Sequence, residues 1–427
     1  MSRHFWLLIH RYAGLFISFF LVIAGLTGSI LAFYHELNNW LNPSCQVAIQ
    51  TKPMLDPLEL RDKALMLEPN GRINSLNLQR QPGEVFTAVI EPKINPETNK
   101  PYAITPVNLN PYTGESIITV QESIAAPIGY WPLNRKNILP FIYELHYSLL
   151  MGETGLWLFG IAATIWTIDC FVGFYLTFPI RKKSLNSVKC STPINILSKV
   201  KSKQPNFWQR WLIAWKIKWP SSKQRLHFDL HRAGGLWLWL MLFIFAWSAV
   251  LLNMNATIYQ PVMKLFFDMT EYENYPVPNL ANPLPDPMID FKTGYQIGRQ
   301  LVAEQAQLKG FKIIDEQSFS YHPTTGLYQY SIRTDRDITN KSASSHIYFD
   351  GANGKLVKLF LPTGEKSGDT ITCWLAALHM ANVWGLPYQI FVCVFGLAII
   401  LLTITGIYIW YKKRQARILS KRRYKQR

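Results

Sequence analysis

The chain contains four nearly uncharged apolar segments, and each is long enough to cross a membrane. They run from Trp6 to Tyr34, Leu156 to Phe178, Leu236 to Leu252 with flanking residues, and Pro387 to Trp410. A helix needs about 20 apolar residues to cross roughly 30 Å of hydrocarbon, since each residue adds about 1.5 Å. The pattern predicts four transmembrane helices. The first segment exceeds the apolar part of a signal peptide, and no cleavage pattern follows it before Trp40, which favours a membrane anchor.

The net charge of +17 is concentrated in two places. Twelve Lys or Arg and a single acid, Asp229, lie within residues 180–230, and nine further basic residues follow Tyr411. The two long segments 36–136 and 259–372 are close to neutral. Because basic loops stay on the cytoplasmic side of a membrane, this distribution predicts that both termini are cytoplasmic.

Four tryptophans, Trp208, Trp211, Trp215 and Trp219, lie among the basic residues of the middle segment. Basic and aromatic residues also alternate on nucleic-acid surfaces, but a spacing of about three residues beside a span favours an interfacial amphipathic helix on anionic lipid. The expected partner of this segment is therefore the lipid membrane, and no nucleic acid is expected.

The two halves of the chain repeat one histidine pattern. His10 opens the first span and His231 the third, each within the order His-Arg-x-x-Gly, while His146 precedes the second span and His379 the fourth. Glycines keep the same register after the second pair: Gly152 and Gly385 follow at 6 residues, and Gly173 and Gly406 at 27 residues. The pattern predicts a two-fold internal repeat.

Histidines at membrane depth are costly, because lipid offers their ring nitrogens no partner, and they are usually functional. Two repeat-related imidazoles facing each other would supply the ligands above and below an iron porphyrin. We expect His10 and His231 to share an inner heme and His146 and His379 an outer one. With no Cys-x-x-Cys-His sequence present, these two hemes would be b-type. The alternative is that all four are hydrogen-bonded packing residues.

Three further groups are candidates at these sites. Arg11 and Arg232 directly follow the inner ligands and could pair with heme propionates, or act only as positive anchors at the membrane. His35, at the outer end of the first span, is an alternative outer ligand in place of His146 or His379. Asp169 is an acid inside the second span, where a proton path, a quinol contact or a helix–helix hydrogen bond are the alternatives.

The two neutral segments predict small α+β domains. Each contains a β-hairpin pattern closed by glycine, at Val107 to Ile117 and at Ile347 to Val357. A helical pattern covers Thr293 to Leu308, and the proline-rich stretch from Pro276 to Pro287 predicts a linker. His322 and His346 in the second segment suggest no chemistry, because no partner for catalysis accompanies them.

The predicted fold is an α-helical membrane protein with four transmembrane helices as a two-fold internal repeat and two periplasmic α+β domains. Residues 1–35 form the first span, 36–138 the first outer domain, 139–180 the second span with an interfacial helix before it, and 181–226 a basic cytoplasmic loop. In the second half, residues 227–258, 259–372 and 373–411 repeat the order of span, outer domain and span, again with an interfacial helix and a helix break before the last span, and 412–427 form a basic tail.

The order of spans, outer segments and His-Arg-x-x-Gly motifs resembles the PepSY-associated transmembrane family, over essentially the whole chain. It is similar to the iron-regulated inner-membrane members that reduce ferric siderophores. The resemblance implies a diheme protein of the bacterial inner membrane that takes a ferric siderophore as substrate on the periplasmic side and releases ferrous iron.

No Gly-x-Gly-x-x-Gly turn is present, so a separate cytoplasmic or quinol electron donor is expected. A second hypothesis is a cofactor-free membrane regulator whose outer domains act on a periplasmic peptidase. A third is a transporter, since repeats are common in transporters, although four spans with little polar lining leave no evident path.

Overall fold

The computed structural model describes residues 2–42, 47–117, 130–180, 205–271, 276–339 and 342–426. The chain divides into two compact units. The first, which we call the helical unit, comprises Met1–Ser29, Leu145–Asn253 and Val392–Arg427. The second, the sheet unit, comprises Ile30–Glu144 and Met254–Phe391. Much of the basic loop predicted for residues 181–226 lies outside the described residues, as do Cys45 and Cys190.

The helices and strands are numbered in chain order. The α-helices are α1 Arg3–Leu31, α2 Tyr34–Leu41, α3 Pro57–Leu67, α4 Ile138–Ser148, α5 Gly152–Thr177, α6 Phe207–Trp211, α7 Lys223–Trp237, α8 Trp239–Asn253, α9 Gln260–Lys264, α10 Phe291–Lys309, α11 Ser367–His379 and α12 Leu386–Lys425. The strands are β1 Gly71–Arg72, β2 Ser75–Asn77, β3 Phe86–Ala88, β4 Glu91–Pro92, β5 Val107–Leu109, β6 Ile313–His322, β7 Leu327–Thr334, β8 Ser345–Asp350 and β9 Leu356–Phe360.

Three helices, α1, α5 and α12, are long and apolar enough to cross a membrane. The third predicted span is the pair α7 and α8, which meets the same test as one unit but bends by 69° where the helices join. The bend follows the pair Gly234 and Gly235 by a few residues, and paired glycines are a common cause of helix kinks. The described residues therefore contain three candidate membrane spans, or four if the bent pair is one span, as expected for a helical membrane protein.

The predicted helix breaks before the second and fourth spans are present. After α4, Leu149 and Leu150 adopt left-handed backbone angles with φ of 55° and 60°, and after α11 Ala381 and Trp384 do so with φ of 52° and 54°. At the first break a Cβ on Gly155 would lie 1.6 Å from the carbonyl oxygen of Ser148. Only glycine at position 155 therefore lets the end of α4 pack directly against α5.

In the sheet unit, the two neutral segments build one sheet together. Its strand order is β2-β6-β7-β8-β9, and β2 comes from the first segment, where Leu76 lies opposite Phe319 of β6. The first segment otherwise forms two-stranded pairs, β1 with β4 and β3 with β5. This differs from the prediction of two separate domains. Strands of two or three residues bury too little apolar surface to be stable alone, so they add to the longer strands of the second segment.

Of the local predictions in this unit, the second hairpin and the helix are present, while β5 of the first hairpin is followed only by an isolated bridge between Leu109 and Ser116. The turn after β5 has Gly114 at φ +72°, and the turn between β8 and β9 has Gly354 at φ +72°. Helix α10 covers the predicted helical stretch and ends at Gly310 in a left-handed cap. The proline-rich stretch 276–287 contains no helix or strand, yet the backbone N–H groups of Leu280 and Leu284 donate to the turn after β6.

Candidate cofactor site in the helical unit

A cavity of about 400 Å³ lies among α1, α5, α7, α8 and α12. His10 and His231 both line it, and their ring centroids are 6.1 Å apart at an interplanar angle of 51°. The two histidines that the repeat predicted as partners therefore face the same space. The volume falls within the range of roughly 300–1,000 Å³ that is usual for small-molecule and cofactor sites.

His10 is held by an acid on the neighbouring helix. Its Nδ1 lies 2.9 and 3.0 Å from the two carboxylate oxygens of Asp169, on α5. An ionised carboxylate can only accept hydrogen bonds, so Nδ1 of His10 carries the proton. The sequence leaves a proton path, a quinol contact or a helix–helix hydrogen bond open for Asp169. The structure shows a hydrogen bond between helices α1 and α5, with His10 as the partner that the sequence did not identify.

His231 is held in the corresponding way by the backbone of α12. Its Nδ1 lies 2.9 Å from the carbonyl oxygen of Leu402, with the hydroxyl of Thr405 at 3.3 Å. A carbonyl only accepts, so Nδ1 of His231 also donates. Leu402 is the repeat counterpart of Asp169, because 169 + 233 = 402 and the same offset relates His146 to His379.

His146, at the end of α4, contacts α1. Its Nδ1 lies 2.8 Å from Oγ1 of Thr27, and that hydroxyl donates its single proton to the carbonyl of Ile23 at 2.6 Å. The hydroxyl must therefore accept from Nδ1 of His146. Gly28 makes room for the ring, since a Cβ there would lie 3.1 Å from its Cε1.

In each of these three histidines Nδ1 donates to a protein acceptor, so we assign a proton to Nδ1. In the neutral rings of His10 and His231, Nε2 then carries the lone pair. A neutral imidazole whose other nitrogen donates to a fixed acceptor is the usual state of a metal-ligating histidine. The arrangement is suited to metal ligation through Nε2.

The separation of the two cavity histidines agrees with such ligation. A metal–imidazole bond is about 2 Å long and a ring centroid lies roughly 1 Å behind its nitrogen, so imidazoles on opposite sides of one metal have centroids about 6 Å apart. The observed 6.1 Å matches that distance.

Four glycines around this site leave space that a side chain would otherwise fill. Gly14 and Gly235 line the cavity, and a Cβ on either would have no atom within 4 Å. A Cβ on Gly173 would lie 3.3 Å from Cε1 of His10, and one on Gly406 would lie 3.0 Å from Cε1 of His231. The first pair leaves open space where a flat ligand could approach the backbone, and the second pair lets the imidazoles lie close to their helices.

Two of the cations that line the cavity already have partners. Arg3 donates to the carbonyls of Leu176 and Phe178 at the end of α5. Arg232 donates to Asp229 and to the carbonyls of Ile213, Ala214 and Lys216. The structure thus gives Arg232 protein partners, and its predicted contact with a propionate stays a prediction.

The other two cations at the cavity, Arg11 and Lys413, form no ion pair or hydrogen bond with any residue that the structure describes, and Lys413 lies over the ring of Phe228, 5.9 Å from its centroid. Two like charges without an acidic partner at an apolar cavity favour an anionic occupant. Arg11 was predicted here. Lys413 was missed, because nothing distinguishes it among the nine basic residues of the tail.

The remaining candidate ligands belong to the sheet unit. His379 is the last residue of α11, and His35 is exposed near the start of α2. The expectation that His146 and His379 hold one heme, with His35 as the alternative to either of them, stays a prediction.

Residues 7–413 match the family described as the PepSY-associated TM region. Because this match spans nearly the whole chain, the protein belongs to that family. A comparison with curated proteins found no match.

Proposed function

We propose that the chain is a diheme oxidoreductase of the bacterial inner membrane. In this proposal it takes electrons near the cytoplasmic face, from a quinol or a separate cytoplasmic protein, and passes them to ferric iron held in siderophores in the periplasm. His10 and His231 ligate the inner heme, His146 and His379 the outer heme, and Arg11 lies beside the inner propionates.

The observation that carries the proposal is the facing pair His10 and His231, 6.1 Å apart, each with Nδ1 anchored and Nε2 free. Two imidazoles alone do not complete the shell of a bare metal ion, and the described residues contain no group of three or more His, Cys, Asp or Glu that could do so. A porphyrin supplies four nitrogens in a plane. The open space at Gly14 and Gly235 and the unpaired charges of Arg11 and Lys413 suit its flat face and its propionates.

His10 and His231 would hold the heme, and a heme held by two imidazoles would supply a one-electron carrier suited to electron transfer more than to oxygen binding. One electron converts one ferric ion to ferrous. A quinol that releases two electrons and two protons would therefore reduce two ferric ions. The substrate assignment comes from the resemblance to ferric-siderophore reductases within this family.

The cofactor is tested by pyridine hemochrome analysis of the purified protein from heme-sufficient cells. We expect about two b-type hemes per chain. A preparation with no Soret band would refute the proposal and favour the cofactor-free regulator of a periplasmic peptidase.

The reaction is tested separately. Dithionite-reduced protein should reoxidise when a ferric hydroxamate is added without oxygen, and ferrozine should trap ferrous iron in proportion. The variant His146→Ala should lose this reaction while it keeps the inner heme. A reduced protein that ignores every ferric chelate but reoxidises with a quinone would remove the iron assignment and leave a diheme electron carrier.

The direction of electron flow depends on topology. In a background without the five native cysteines, Thr98→Cys in the sheet unit should react with a membrane-impermeant maleimide in intact cells, and Ser420→Cys in the tail should not. Both positions are exposed, so access to the reagent is the only difference tested. The opposite labelling would reverse the proposed direction.

A further inference from the structure

The two histidines of the helical-unit cavity are held by chemically different acceptors at repeat-equivalent positions. On α5 the acceptor is the carboxylate of Asp169, and on α12 it is the backbone carbonyl of Leu402. A carbonyl carries only a partial charge, whereas an ionised carboxylate carries a full one and forms the stronger hydrogen bond. The repeat is therefore symmetric in its ligands and asymmetric in what holds them.

The carboxylate of Asp169 has little contact with solvent and few partners. It is 7% exposed, and among the described residues its only hydrogen-bond and ion-pair partner is His10. The other buried acid of the helical unit, Asp229, is instead paired with Arg225 and Arg232. A buried carboxylate supported by one imidazole N–H is costly unless positive charge lies close by.

We propose that Asp169 is a positioning residue that fixes His10 for ligation and lowers the reduction potential of the inner site. This inference rests on the proposed diheme function. With a dianionic porphyrin, a ferric centre carries one net positive charge and a ferrous centre none. Asp169, acting through His10, therefore stabilises the oxidised state, and the added electron is held less tightly.

This asymmetry has a functional consequence. A lower potential at the inner site favours passing the electron onward over retaining it, so Asp169 directs electrons away from the site at which they enter. Leu402 exerts no comparable effect through His231, because its carbonyl is uncharged.

The test is a redox titration of purified full-length protein carrying Asp169→Asn, with each midpoint assigned by its loss in His231→Ala or His146→Ala. Asparagine keeps an oxygen to accept from His10 and removes the charge, so the inner midpoint should rise while the outer one stays unchanged. Asp169→Glu, which keeps the charge, should remain nearer the wild-type value. The matched control is Thr405→Val, which removes the longer contact to His231 and the donation of the Thr405 hydroxyl to the Leu402 carbonyl but changes no charge. It should shift the inner midpoint less than Asp169→Asn does.

Several outcomes separate the two proposals. An inner midpoint in Asp169→Asn that equals the wild-type value, or lies below it, overturns this inference and leaves the diheme proposal standing. A wild-type protein without heme overturns the diheme proposal itself. A folded Asp169→Asn protein that lacks one heme supports the positioning role if Thr405→Val keeps both, because only the contact to His10 is then required for ligation.

Discussion

The two halves of the chain place histidine and glycine at matching positions in the helical unit and diverge in the sheet unit. In the helical unit a Cβ on Gly173 would lie 3.3 Å from Cε1 of His10, and one on Gly406 would lie 3.0 Å from Cε1 of His231. In the sheet unit the first half contributes strands of two or three residues and the second half strands of five to ten. A ligand site depends on side-chain positions to within fractions of an ångström, whereas a strand needs only a free hydrogen-bonding edge. The two halves therefore match at the positions beside the candidate ligands.

The largest expected effect concerns which histidines act together. His231→Ala should remove one heme completely, and His10→Ala should remove the same one, because bis-imidazole ligation fails without either ligand. His146→Ala should remove the other. The measurement is heme per chain by pyridine hemochrome, with difference spectra to identify the heme that remains.

A specific pattern would break the comparison between the halves. If His10→Ala and His146→Ala lost one common heme, the ligands would pair within a half of the chain and not between halves. The cavity shared by His10 and His231 would then need another occupant.

A smaller effect is expected where the site is open. Gly14→Leu or Gly235→Leu places a side chain in the space that a flat ligand would use, and neither Cβ meets an atom within 4 Å. We expect heme affinity to fall by about tenfold or more, which corresponds to roughly 1.4 kcal/mol, with little change in the stability of the heme-free protein. Heme titration followed by absorbance measures the affinity, and thermal unfolding measures the stability of the heme-free protein.

The control is Tyr12→Leu, at a position on α1 that is 62% exposed and does not line the cavity. Its heme affinity should equal that of the wild type. Equal affinities in Gly14→Leu, Gly235→Leu and the wild type would show that no flat ligand lies against these glycines.

The sequence was sufficient to predict membrane-spanning helices, and its expectation that His10 and His231 face each other agrees with the cavity that both line, because these depend on residue type and spacing. The two-fold repeat and the sharing of one heme stay predictions. One part of the site could not be predicted in this way. The acceptor for His231 is a backbone carbonyl, which every residue possesses, so the leucine at position 402 gives no signal. The repeat offset from Asp169 is the one clue that points to position 402.

The shared sheet was missed for a related reason. Each neutral segment shows a complete local hairpin pattern, and local patterns do not reveal that β2 pairs with β6 more than 200 residues away. A strand of three residues is also too short for a period of two to be recognised. Long-range pairing of short strands is set by the surface that remains uncovered after the local elements form.

The shared sheet gives the next prediction. Leu76 of β2 is 1% exposed within the common core, so Leu76→Ala should destabilise the sheet unit by about 2–4 kcal/mol. Asn77→Ala, at an exposed neighbouring position, should have little effect. Hydrogen exchange of β6 and β7 amides in the full chain measures the change. Unaltered protection of β6 in Leu76→Ala would mean that the first segment folds independently, as two separate domains would.

The smallest expected effect is a pH response confined to the sheet unit. Burial, opposed in part by the nearby Asp337 carboxylate, lowers the pKa of His346 to about 4. The folded state therefore resists protonation of a group that the unfolded chain protonates near pH 6.5. The stability that depends on the neutral ring is present above pH 6.5 and is lost as the pH falls towards 4. Between pH 7 and pH 5.5 the expected loss is about 1 kcal/mol.

Hydrogen exchange of β7 and β8 at the two pH values, corrected for intrinsic exchange rates, measures this loss. His346→Gln cannot titrate, and its amide can still bond to Ser331, which lies 3.0 Å from Nδ1 of His346 in the structure. The variant should therefore retain equal protection at both pH values. If it loses protection as the wild type does, another group of the sheet unit carries the response. If heme content falls with pH in parallel, the two units are coupled, and the contrast between a constrained helical unit and a tolerant sheet unit would need revision.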